Sequence, residues 1–204
     1  MFYWRIDNTF IFRTTILIFL LTITLWSCNS ERQPAAFYPI DSLVTGQIHY
    51  LTKIKAGLFK EALLSGKTDT HTYIPEDTVG WVNELDIFRK LQIINKPINK
   101  GSYLVDDGLF DPGSNLTVKA FTSLKKLPVV YLRVYYQGNI EKPRKIEALY
   151  NEANPLYESA RLLSMYFQQI DNKTVLTSYA IRGGQKMIFG DSVAFYIKGK
   201  ILVD

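Results

Sequence analysis

The chain has 204 residues, a length for one domain with room for an appendage, and 47% of them are hydrophobic and 21% charged, a composition ordinary for a globular protein with a real core. Its formal charge is +5, but the basic residues are scattered in short pairs such as Lys125-Lys126 and Arg144-Lys145. Such scatter describes a solvated surface with a mild positive bias and leaves no basic block for nucleic acid. A single cysteine, Cys28, excludes an internal disulfide, so the fold must stand on its core alone.

Residues 14–26, TTILIFLLTITLW, carry no charge, and Arg5 and Arg13 precede them. A membrane-spanning helix needs about 20 apolar residues, so this run is short for that purpose and has the length of a signal-peptide apolar region behind its positive flank. Immediately after it stands Leu25-Trp26-Ser27-Cys28, with an aliphatic residue three before the cysteine and a small residue directly before it. This stretch resembles the lipobox of bacterial lipoprotein precursors. The resemblance implies that Cys28 receives a diacylglycerol and becomes the first residue, and that 1–27 is a signal peptide removed in the mature protein. It concerns targeting alone. An uncleaved anchor ending near Cys28 is the alternative, kept open by the long apolar segment MFYWRIDNTFIF upstream. Two or three acyl chains would hold a protein firmly where one would not. Residues 28–37 read as a polar, flexible tether between lipid and fold. Asn29, in place of the aspartate that retains many such proteins at the inner membrane, points to the outer membrane.

The folded part is expected over 38–204 as one domain. Residues 42–65 are expected to be helical, since Val44, Ile48, Leu51, Leu58 and Ala62 recur at helical intervals; Asp41 or Ser42 would cap the start and Gly66 would follow the end. A second helix is expected over about 78–94, capped by Asp77 or Thr78, with Trp81, Leu85 and Phe88 on one stripe and Pro97 as the stop.

Beyond that point the apolar period drops from 3.6 to 2. Leu116–Leu124, Val129–Tyr136, Ile146–Tyr150, Val175–Ile181 and Val193–Ile201 all alternate, and turn signals stand at Gln137-Gly138-Asn139, Asp171-Asn172-Lys173, Arg182-Gly183-Gly184 and Gly190-Asp191-Ser192. Residues 156–169 suit either a helix or a strand; close strand-like neighbours on both sides favour a strand. The expected fold is therefore α+β, two N-terminal helices packed on a curved antiparallel meander of six or seven strands.

No catalytic constellation emerges. Of the two histidines, His49 falls on the first expected helix and His71 in the connection between helices, without metal-ligand spacing. Asp106-Asp107-Gly108 and Asp111-Pro112-Gly113-Ser114-Asn115 form the densest acidic cluster, but they miss the calcium-loop pattern and use the residues of any turn. Ser123-Leu124-Lys125-Lys126 has the S-x-x-K spacing of penicillin-recognising enzymes without the accompanying elements. Gly183-Gly184 lacks a phosphate-loop context and reads as a hairpin turn.

The expectation is a non-enzymatic envelope lipoprotein with no cofactor, metal or nucleic acid, held to the membrane through lipid on Cys28. It would bind a partner protein or a lipid-like ligand, or serve as a structural module of an envelope assembly. The competing expectation is an envelope hydrolase whose Asp, Ser and His residues meet only in the fold.

Overall fold

The computed structural model describes residues 38–188 and 190–203. Cys28 and the two N-terminal segments, 1–27 and 28–37, lie outside the described residues. Residues 36–204 form one compact unit.

The chain starts with α1 (Ile40–Lys53), whose Ile40, Val44, Ile48 and Leu51 are buried. No side chain caps it; Asp41 sits in the first turn, where the helix dipole favours an anion, and ion-pairs with Arg89 at 2.9 Å. The helix ends twelve residues before the expected 65, and the cause is a Schellman cap. Lys55 takes a left-handed φ of 51°, its N–H donates to the Thr52 carbonyl, and the Ala56 N–H donates to the Leu51 carbonyl. The usual glycine is absent there, so nothing in the residue types marks the stop.

The chain then forms a hairpin, β1 (Gly57–Leu64) and β2 (Lys67–Tyr73). Gly66 does take a positive φ (81°), but together with Ser65 (49°) it makes the two-residue turn of this hairpin and not a helix cap. Next comes α2 (Thr78–Arg89), capped as expected by Asp77, whose side chain accepts from the Gly80 N–H at 2.9 Å. Trp81, Leu85 and Phe88 are buried. Two short 3-10 turns, Lys90–Asn95 and Pro97–Asn99, complete this layer. The two helices are thus separated by a hairpin and are not an N-terminal pair.

Seven strands follow: β3 (Tyr103–Asp111), β4 (Leu116–Ser123), β5 (Val129–Tyr136), β6 (Pro143–Ala153), β7 (Tyr157–Ile170), β8 (Lys173–Met187) and β9 (Ser192–Leu202). All pair antiparallel in sequence order, and β1 pairs with β9, giving a nine-stranded sheet ordered β2-β1-β9-β8-β7-β6-β5-β4-β3. The class is α+β, mostly antiparallel sheet, with nine strands in place of the expected six or seven. The three unforeseen strands are β1, β2 and β3. Residues 157–170 are strand, and Asp171 and Asn172, both at positive φ, turn β7 into β8. Gly183-Gly184 is not a turn: both glycines lie inside β8.

The helices cover one face of the sheet. The register carries that face through Val134, Ile146, Met165, Tyr179, Gly199 and Lys60. Under the helices the packing is closed, with Leu58, Trp81, Leu85, Leu132, Ala148 and Leu176 all at 0% exposure. Length sets the limit of this cover. A 14-residue helix spans about 21 Å, whereas the 15 residues of β8 span about 50 Å. Part of the helix face therefore extends past the helices.

Candidate functional site

Where the helical cover ends, one carboxylate collects three donors. Glu84 of α2 accepts from Lys60 Nζ on β1 (2.9 Å), from the Tyr73 hydroxyl on β2 (2.6 Å) and from the Tyr179 hydroxyl on β8 (2.7 Å). Gly199 makes room for this arrangement: a Cβ there would lie 2.3 Å from Tyr179 Cε1. The Tyr179 ring also meets Phe88 edge-on, at 5.8 Å between centroids. Burial pushes the Glu84 carboxyl up, but the hydrogen bonds from Tyr73, Lys60 and Tyr179 and the Lys60 charge outweigh it, so its pKa lies below the ordinary value. Burial first, then the hydrogen bond to Glu84 and the Glu84 charge, raise both tyrosines. The cluster is a satisfied ionic clamp between α2 and three strands.

His71 stands across from Lys60 on β2, with its ring 5.4 Å from that of Tyr73. It borders an open cleft of about 670 Å³ shared with Lys60, Tyr73, Glu76 and Asp77. Asp77 is engaged in capping α2, and the residues lining the cleft include no serine, threonine or cysteine. His49 is exposed on α1. The structure does not bring the two histidines and a hydroxyl nucleophile into this cleft.

The acidic cluster belongs to the β3–β4 hairpin. A bulge between Asp106 and Leu109, with Gly108 at φ 78°, interrupts the β3 register, and Asp107 is held by Lys119 (2.8 Å) and Tyr136 (3.2 Å). Asp111 accepts from Ser114 Oγ within the turn. Ser123 Oγ bonds locally to the Lys125 backbone at the end of β4. Asp107 is thus engaged across β4 and β5, while Asp111 and Ser123 are engaged within their own turns.

Past the Glu84 clamp, the helix face changes character. Leu64, Phe195 and Gly183 form one row across β1, β9 and β8, and Val193 and Gln185 form the next. The Phe195 ring lies over Gly183, where an added Cβ would meet its Cζ at 2.8 Å. Leu64, Val193 and Met187 are 54%, 37% and 43% exposed. Half-buried Ile181 and Ile197 join this strip to the core. On the other face of the same end lies a separate depression of about 370 Å³, where Leu63, Tyr196 and Arg182 form one row and Ala194 stands in the next. On β6 and β7 the rows of the helix face turn polar. Arg161 pairs with Glu152 at 3.4 Å, and the buried Ser159 hydroxyl has no hydrogen-bond partner among the described residues. The free end is an apolar strip with a polar margin. Sequence reasoning missed it because its residues alternate just as the covered ones do.

Among known proteins, no family model, no curated sequence and no solved structure matches this chain. The fold therefore defines the class, a helix-capped antiparallel sheet of α+β type. Function has to be argued from the site.

Proposed function

We propose that this is a non-enzymatic lipoprotein of the bacterial envelope, tethered through lipid on Cys28, whose free sheet end holds an apolar, lipid-like ligand or the apolar segment of a partner. The observation that carries this reading is the change along one sheet face, from packed core under the helices to an exposed apolar strip beyond them. The space under the helices is filled, so the ligand surface is the strip and its polar margin, not a cavity beneath the helices. An amphiphile suits this arrangement, with its hydrocarbon on Leu64, Phe195 and Val193 and its polar end toward Arg161 and Ser159. Such sites are mostly apolar with a few placed polar groups. A hydrolase is less well supported, because the cleft beside His71 pairs carboxylates with no nucleophile.

The tether sets the address. Residues 28–37 reach at most about 35 Å when fully extended, which would keep the domain close to the bilayer. Asn29 favours the outer membrane. Mass spectrometry of the N-terminal peptide from membrane-extracted protein, beside Cys28→Ser, tests the anchor: a diacylglyceryl mass on Cys28 that the variant lacks is expected. An unmodified peptide still joined to residues 1–27 overturns it. Organic extracts of the purified protein should carry co-purified lipid, and clean extracts count against the ligand.

A further inference from the structure

The face of the sheet away from the helices divides into two halves by the pairing of its cations. On β5 and β6 each cation has a carboxylate partner. Glu147 lies 2.7 Å from Lys145 and 3.7 Å from Arg133, and both cations sit over tyrosine rings, Lys145 at 4.8 Å from Tyr135 and Arg133 at 4.6 Å from Tyr131. On β8 and β9 the cations have none. Arg182, Lys198 and Lys200 point to this same face, because their neighbours Gly183 and Gly199 carry the helix-facing rings. All three are exposed, and none has an ion pair among the described residues. Lys186 lies on this face of β8 as well, across from Glu158, and Glu61 stands across from Lys198. Neither pair forms an ion pair among the described residues, so four cations face two carboxylates and a surplus of two charges remains. Arg182 lies 5.4 Å from the Tyr196 ring, and Tyr166, in the row of Lys200 across Ser178, is 41% exposed.

We propose that this β8–β9 half docks on the anionic headgroups of a bilayer. Charge complementarity and the amphipathic tyrosine rings carry the inference, since cations close to an anionic leaflet and rings at headgroup level are both stabilised there. Choosing a bilayer over another polyanion rests on the Cys28 tether, which would make a weak second contact effective by keeping its local concentration high. Docked in this way, the domain turns its helix face, with the free apolar end, away from the membrane surface.

The test uses residues 36–204, a compact unit with its own core, and sedimentation with vesicles of phosphatidylglycerol or of phosphatidylcholine at low salt. Binding to the anionic vesicles alone is expected, falling about fivefold for each cation removed and about a hundredfold in Arg182→Gln/Lys198→Gln/Lys200→Gln. Lys198→Arg/Lys200→Arg should keep it. The control Lys90→Gln/Lys125→Gln/Lys126→Gln removes the same charge elsewhere and should bind like the parent. Equal loss in the control, or equal binding to both vesicles, overturns the proposal. So does a patch variant that, with an unchanged thermal melt, loses binding to a single-stranded oligonucleotide but not to vesicles. Failure of the tether reading would appear as an unmodified Cys28 and would leave vesicle binding of this domain unchanged.

Discussion

Along β8, Leu176 and Tyr179 lie under the helices at 0% and 1% exposure, whereas Met187, on the same face of the same strand, is 43% exposed. On β9 the apolar alternation continues through Ile197, Phe195 and Val193, while β8 sets Gly183 and Gln185 before Met187, and the hydrogen-bonded ladder runs unbroken through this end. What changes most is the layer above. Alternation therefore identifies a face of a sheet, while the length of the helices decides how much of that face becomes core. The Glu84 clamp marks the border, fixing the middle of α2 to β1, β2 and β8 through one carboxylate.

The sharpest contrast is between equal truncations on the two sides of that border. Leu85→Ala, in the closed packing, should cost about 2–5 kcal/mol, because the neighbours cannot collapse around the lost volume. Leu64→Ala should cost no more than about 0.5 kcal/mol, as expected for an exposed position. Denaturant midpoints of the two variants measure the difference. Similar losses would mean that the free end is packed.

A smaller effect is expected at the border itself. Gly199→Ala places a methyl group against the Tyr179 ring and should cost about 1–3 kcal/mol, with the ring displaced from Glu84. Glu84 itself offers a pH signature. Its carboxyl titrates below its ordinary 4.5, so it contributes stability that is complete above the unfolded value and lost as pH falls through the folded one. Melting temperatures of the parent should therefore drop on acidification below about pH 4.5 more steeply than those of Glu84→Gln. Parallel curves would remove the clamp from the account.

The sequence made the helix stripes and the regular strands legible. Trp81, Leu85 and Phe88 are buried as their spacing predicts, and β4, β5, β6, β8 and β9 follow their alternation. The missed strands each have a local cause. In β1 the apolar residues also fit a helical period, and the cap that ends α1 uses Lys55 where glycine would have been the signal. β2, KTDTHTY, has no apolar alternation because it is an edge strand with exposed faces. β3 is the other edge strand, also mostly exposed, and its bulge between Asp106 and Leu109 shifts the phase of whatever alternation remains. Gly183 reads as a turn residue, yet it sits within a strand beneath a ring from its neighbour, as Gly199 does within β9. The Glu84 clamp was not legible, since its partners lie 24, 11 and 95 residues away.

The most direct test of the apolar-ligand reading is titration of residues 36–204 with a fluorescent fatty-acid probe, comparing the parent with Leu64→Ser/Phe195→Ser and with Leu63→Ser, whose side chain points to the opposite face of β1. Saturable binding by the parent and by Leu63→Ser, lost in the double variant while its thermal melt stays close to the parent's, is the predicted result. No saturable binding by the parent, or binding that survives the double substitution, would contradict the claim that the free end of the helix face is the ligand site.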